Sequence, residues 1–181
     1  MAASARRVTG LRTTVHRRTQ AQCATGLAMA AIAAPAAVQA LTGTRVSARE
    51  ILSVELAGSG ERILEVAQGS PERLEVYRSL LGLRDNVYVC VYCVPLLVAT
   101  DLLPVVARRV GTTLVLATAV ADVVENAMLE RSLATLATDT SNPGRVDDEA
   151  RLARHAAWAK FAALAPSIGF AMWGIHRSWR R

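Results

Sequence analysis

Residues 19–44 form a stretch of 26 residues without a charged side chain, and this feature constrains the fold most. A helix needs about 20 apolar residues to cross a bilayer core of ~30 Å. Three further apolar stretches, 87–107, 110–129 and 156–176, reach this length if each admits one or two ionisable residues. A chain that is 52% hydrophobic and 20% charged is also too apolar to be disordered. The pattern predicts an all-α, integral membrane four-helix bundle.

The arginines are distributed unevenly between these stretches. Five of them and no acid precede the first stretch, Arg108 and Arg109 separate the second from the third, and three follow the fourth. The two remaining connections each carry a net charge of −1. Alternation of this kind is the positive-inside pattern, and nothing in a water-soluble Ala-rich bundle requires it. We therefore expect both termini in the cytoplasm.

This topology divides the chain into a basic cytoplasmic segment at 1–20, a transmembrane domain at 21–176 with its first helix at 21–42, and a basic tail at 177–181. The expected location is the cell (inner) membrane. The expected partners are the lipid bilayer and a membrane protein or second copy of the chain. Nucleic-acid binding is disfavoured, because the basic groups flank apolar stretches instead of forming one stripe.

The N-terminal region allows two other interpretations. Its basic start, Ala-rich stretch and small residues Val38-Gln39-Ala40 resemble a cleavable signal peptide. The lack of any acid before Glu50, with frequent Arg, Ser and Thr, is also typical of a mitochondrial transit peptide. The second interpretation would place the protein in the mitochondrial inner membrane.

The outer connection, residues 43–86, carries helix signals. Ser70-Pro71-Glu72 reads as an N-cap, a proline at the first helical position and an acid in the first turn. A shorter helix is predicted at 61–68, between Gly58-Ser59-Gly60 and Gly69. We expect these amphipathic helices to lie on the membrane surface or to cap the bundle from outside.

Ionisable residues occur inside the predicted spans. Asp122, Glu125 and Asn126 have the spacing i, i+3, i+4, which places them on one helical face. Charged groups in a membrane point inward and find a partner, and Lys160 in the fourth span is expected at the same depth as Glu125. Asp85, at the outer mouth of the second span, could join this polar cluster.

Two interpretations of the cluster stay open. It either clamps the helices together through salt bridges and hydrogen bonds, or forms a proton, ion or metal site. Three carboxylates against one lysine leave excess negative charge, which a proton or a cation would neutralise. We predict a non-enzymatic membrane protein with a structural cluster and without a cofactor or bound metal. The alternative is a proton- or ion-coupled transporter module that uses Asp122 and Glu125.

Several segments together carry a family resemblance. They are Glu55-Leu56-Ala57-Gly58, Asp85-Asn86-Val87-Tyr88 with Tyr92, Ala121-Asp122-Val123-Val124-Glu125-Asn126 and Ala159-Lys160-Phe161-Ala162. Over residues 50–175 the chain resembles a family of small bacterial four-helix membrane proteins without an established activity. The D-x-x-E-N motif followed by K-F is its most specific part, and Tyr88 stands where that pattern often has Phe. The resemblance implies the four-helix topology and marks Asp85, Asp122, Glu125, Asn126 and Lys160.

Cys90 and Cys93 form a C-x-x-C motif in the second span. A membrane thiol oxidoreductase, similar to quinone-coupled thiol oxidases, would use them as a redox pair. Such an enzyme also needs a second cysteine pair on an outer loop, and Cys23 is the only other cysteine. The lack of that second pair favours the other interpretation, in which the cysteines are small apolar side chains at a helix interface.

Overall fold

The computed structural model describes residues 19–30, 46–81 and 85–180. Within these ranges the fold is all-α, as the sequence predicts. Residues 19–30 are helical and form α1, so the predicted helix at 21–42 is described only in its first part. The other helices are α2 (Ala48–Glu55), α3 (Gly60–Val66), α4 (Pro71–Ser79), α5 (Asp85–Thr100), α6 (Val105–Thr138) and α7 (Asp147–Trp179), with a 3-10 turn at Pro143–Val146.

The three short helices begin at serine caps. Ser47 and Glu50 form a reciprocal capping box at α2, and Ser59 and Ser70 each accept a backbone hydrogen bond at the start of α3 and α4. The helix after Ser70-Pro71 is confirmed, and the helix predicted at 61–68 begins one residue earlier and ends two residues earlier. Each cap occupies a donor that the first helical turn leaves without an internal partner.

The predicted boundaries of the second and third spans are wrong. α5 ends at Thr100 instead of residue 107, and Pro104 is the N-cap of α6. Proline lacks the N–H that would continue the α5 ladder, but it is well suited to begin a new helix. The predicted span at 110–129 is the middle of the 34-residue α6, and the fourth span lies within the 33-residue α7.

The two ends of the molecule differ in the size of the side chains that are buried between their helices. The end that we call the core end consists of α2–α4 with residues 125–138 of α6 and 147–157 of α7. These elements enclose a hydrophobic core of large buried side chains, among them Val54, Ile63, Leu74, Leu129 and Leu133. This packing means that the connection at 46–81 covers the ends of α6 and α7.

The other end, which we call the helical end, consists of α1, α5, residues 105–124 of α6 and 158–179 of α7. Its helices approach closely through small residues. A Cβ built on Gly174 of α7 would lie 2.2 Å from the Ala99 carbonyl oxygen of α5. A Cβ on Gly111 of α6 would lie 2.8 Å from Thr100 Cγ2.

Among the described residues, only α6 is both long and apolar enough to cross a membrane by length and composition. Residues Asn86–Thr100 form a shorter apolar helix. The described residues therefore establish an all-α architecture.

Candidate functional site

Three carboxylates surround one lysine where the two ends of the molecule meet. Lys160 Nζ lies 2.7 Å from Glu125 Oε2, 3.2 Å from Asp122 Oδ1 and 3.6 Å from Glu55 Oε2. The four side chains, which we call the Lys160 cluster, are between 0% and 11% exposed. They connect α2, α6 and α7 through one ammonium group.

Each member reaches the cluster for a local reason. Asp122 and Glu125 lie on one face of α6, as their spacing predicts. Glu55 is the last residue of α2, which has no basic residue in its last turn. A carboxylate at a helix C-terminus opposes the helix dipole, so the ammonium group of Lys160 offsets an unfavourable placement.

The cluster carries more negative than positive charge. With every group ionised, three carboxylates and one ammonium give a formal charge of −2 in a buried place. The Tyr92 hydroxyl donates a hydrogen bond to Asp122 Oδ2 and thereby stabilises the charge on that carboxylate. Desolvation of the remaining charge is costly unless each oxygen has a donor or a proton.

Glu125 is the member whose oxygens are least satisfied. Its side chain is 0% exposed, and Oε1 has no hydrogen-bond donor among the described residues. Oε2 contacts Lys160 Nζ as an ion pair without the alignment of a hydrogen bond. A buried acceptor without a donor is rare and indicates a carboxyl group that can take up a proton.

The remaining predicted cluster residues lie beside this centre. Asn126 is buried, and its Nδ2 donates a long hydrogen bond of 3.4 Å to Asn86 Oδ1 of α5. Asn126 Oδ1 has no donor among the described residues. Asp85 is the first residue of α5, and its side chain lies outside the described part of the structure. Asp101 is separate from the cluster, as expected, and pairs with Arg108 at 3.0 Å.

Sequence reasoning missed Glu55 and Tyr92 as partners of this centre. Glu55 lies in a short helix with no spacing relation to α6 or α7, although it belongs to a segment that carries the family resemblance. Tyr92 also belongs to one of these segments, but its position in an apolar stretch does not specify a polar partner. Its position one turn after Tyr88 and its hydroxyl were the available signals for a polar contact.

A cavity of about 450 Å³ opens beside the cluster. Glu55, Asp122 and Lys160 reach its wall together with Tyr88 and Tyr92. The rest of the wall is apolar and consists of Ala28, Pro95, Leu96, Phe161, Leu164, Ile168, Ala171, Met172 and Ile175. The arrangement is typical of a ligand pocket, in which a few polar groups fix the orientation of a mostly apolar molecule.

The two cysteines of the C-x-x-C motif are not bonded to each other and lie in different surroundings. Cys90 is exposed, Cys93 is buried, and both are free thiols. Burial raises the free energy of a thiolate, so the buried position does not favour the reactive form. No group of His, Cys, Asp and Glu within residues 19–30, 46–81 and 85–180 could hold a metal ion.

Comparisons with known proteins do not assign the site. No family model matches the sequence, and neither a curated protein nor a solved structure shows significant similarity to this chain.

Proposed function

We propose that the chain is a multi-pass integral membrane protein whose helical end lies in the bilayer and whose core end caps the bundle outside it. In this proposal the Lys160 cluster is a structural lock between the two ends and not a catalytic centre. The observation that carries the proposal is a change in side-chain polarity along α6 and α7.

In α6 the change occurs next to the cluster. Up to Val124 most of the large apolar residues are exposed, with Val106 at 75% and Val120 at 64%, while Val115 is buried. The positions buried in this part are mainly small or polar, such as Gly111 and Thr118. After Val124 the arrangement reverses, and leucines at 129, 133 and 136 are buried. Outward apolar and inward small residues are typical of helices packed in lipid.

α7 repeats the same change in the opposite chain direction. Residues 147–157 bury alanines in the core of the core end. Residues 158–179 bury Ser167, Ala171, Gly174 and Ser178, and their large apolar side chains are exposed. Met172, for example, is 66% exposed. The described residues include 19 exposed large hydrophobic side chains, and 17 of them belong to the helical end, although both ends are of similar size.

The dimensions agree with a bilayer. Residues 105–124 of α6 extend over ~30 Å at a rise of ~1.5 Å per residue, which equals the thickness of a hydrocarbon core. The whole of α6 is ~51 Å long, so its remaining residues would stand outside the membrane. The expected four crossings comprise the uncharged stretch at 19–44, α5, the first part of α6 and the last part of α7.

The proposal is tested by locating the two ends relative to a membrane. Single cysteines replace Val120 and Leu152 in a background with Cys23, Cys90 and Cys93 changed to serine, and the full chain is placed in phosphatidylcholine nanodiscs. We expect a water-soluble thiol reagent to label position 152 and to leave position 120 unlabelled. Equal labelling at both positions, or a chain that stays dispersed without detergent or lipid, would overturn the proposal.

A second candidate, a proton- or ion-coupled module, is supported by the unpartnered Oε1 of Glu125. Under this alternative Glu125→Gln leaves a folded protein and abolishes a pH-dependent flux of protons or cations across vesicles. Asp122→Asn, at the other α6 carboxylate, serves as the comparison. Absence of any flux in vesicles that contain the unmodified chain would refute this candidate and leave the structural lock in place.

A further inference from the structure

The cavity beside the Lys160 cluster is elongated along α7. Its wall follows this helix from Lys160 to Ile175, which are 15 residues or ~22 Å apart along the helix. This length, together with a volume of about 450 Å³, suits an extended hydrocarbon chain that lies along the helix.

The wall changes in character along this length. Leu164, Ile168, Met172 and Ile175 follow one another on α7 at helical spacing and line the far part. Pro95 and Leu96 of α5 contribute further apolar surface. A hydrocarbon chain that enters from the bilayer would exchange contacts with lipid tails for contacts with this apolar wall, so the wall accommodates the chain and the head group decides which molecule is selected.

The charged residues at the part of the cavity next to the Lys160 cluster determine which head group such a molecule can carry. Two carboxylates, Asp122 and Glu55, and one ammonium, Lys160, reach the cavity wall, and Glu125 lies directly behind them. The excess is negative, so a phosphate or carboxylate head would be repelled. A positively charged head is attracted by this excess, and the rings of Tyr88 and Tyr92 add a surface that favours cations.

We propose that the cavity binds a single-chain cationic amphiphile, with its hydrocarbon chain along α7 and its protonated amine beside Asp122 and Glu55. The occupant is identified by charge complementarity beside the Lys160 cluster and by the length of the apolar wall along α7. The proposal goes beyond the membrane location and rests on it only in that the ligand would enter from the bilayer. No covalent step is involved.

The test uses photoreactive probes and the full chain in phosphatidylcholine nanodiscs. Three probes with the same sixteen-carbon diazirine chain end in a primary amine, an alcohol or a carboxylate, and the labelled peptides are identified by mass spectrometry. We expect the amine to label α7 between residues 164 and 175, and to do so about tenfold more than the carboxylate, a ratio that corresponds to ~1.4 kcal/mol. The alcohol is expected between the two.

Two variants locate the bound chain. Ile168→Trp fills the cavity at a position that is partly exposed, so the fold should tolerate it. We expect a loss of amine labelling of about tenfold, because the indole ring occupies the space in which the hydrocarbon chain would lie. Val120→Trp, on the exposed face of α6 outside the cavity, is the matched control and should change labelling less than twofold.

Each other outcome contradicts the proposal. Equal labelling by the three probes would refute selection by charge, and labelling that survives Ile168→Trp would place the probe elsewhere on the surface. Absence of labelling in correctly assembled nanodiscs would mean that the cavity does not admit such ligands. A chain that does not enter nanodiscs would instead contradict the membrane proposal, so the two failures are distinguishable.

Discussion

Replacing Lys160 with methionine should destabilise the protein far more than replacing any one carboxylate that it contacts. Among the described residues, the lysine is the single positive charge between Glu55, Asp122 and Glu125, and its removal changes the formal charge of the four-residue cluster from −2 to −3. Breaking a buried ion pair by removing one partner costs ~3–5 kcal/mol, because a charge stays buried without compensation. For a chain of this length that corresponds to a thermal midpoint lower by roughly 10 °C.

Glu125→Gln provides the contrast within the same cluster. It reduces the excess negative charge of the cluster, from −2 to −1, and leaves Lys160 with Asp122 and Glu55 as partners. The amide can also donate a hydrogen bond, so the expected loss is about 1 kcal/mol or less. Arg108→Met is the matched control, because its pair with Asp101 is half exposed and such pairs contribute ~0–1 kcal/mol.

The assay is the thermal unfolding of purified full chain in one detergent, followed by the fluorescence of its tryptophans and by the fraction that stays monodisperse. We expect Arg108→Met to unfold at nearly the same temperature as the unmodified chain and Glu125→Gln at a slightly lower one. Lys160→Met should unfold at a far lower temperature than either variant. Equal losses for Lys160→Met and Glu125→Gln would refute the charge argument, since they would indicate simple loss of packing at each position.

Two further predictions concern the packing and the surface. Gly174→Ala should lower the free energy of unfolding by ~1–3 kcal/mol, because the added Cβ would meet the Ala99 carbonyl. Gly169→Ala adds a Cβ that meets nothing within 4 Å and should be neutral or stabilising by up to ~1 kcal/mol. Thermal unfolding in detergent distinguishes the two variants. Backbone and side-chain hydrogen bonds from Ser47 lower the pKa of Glu50 below its ordinary 4.5. Its stabilising effect is therefore complete above pH 4.5 and is lost as the pH falls through the lowered value, so Glu50→Gln should reduce the difference between thermal midpoints at pH 6 and pH 3; an unchanged difference would contradict the assignment.

Much of the cluster could be predicted because its geometry follows from helical periodicity. The spacing of Asp122 and Glu125 places both on one face, and the depth of Lys160 in its own apolar stretch brings it to the same level. Glu55 could not be predicted in the same way. Its contact depends on how the connection at 46–81 folds back over α6 and α7, and no local period records that tertiary packing.

The helix boundaries show a similar division between local and tertiary information. Pro95 and Pro166 lie inside α5 and α7, whereas Pro104 begins a helix. The proline residue alone does not distinguish these outcomes, because a helix tolerates proline where neighbouring groups satisfy the freed carbonyl. The serine caps at 47, 59 and 70 are different, since the signal and the structure that it specifies lie within one turn.

The position of the Lys160 cluster explains why a chain of this kind can keep four charges inside a helix bundle. In the proposed arrangement Val124 is the last exposed large apolar residue of α6, and the fully buried Glu125 follows it directly. A single charge at the bilayer centre costs ~2.5–3.5 kcal/mol on the insertion scale, and the cost falls toward the interface. At this boundary one lysine can join a helix of the cap, Glu55 of α2, to the two long helices. A lysine in the middle of residues 158–179, the part of α7 proposed to lie in the bilayer, would be about two turns away from α2 and its Glu55. The cluster therefore requires a position at the boundary between the hydrocarbon and the core end.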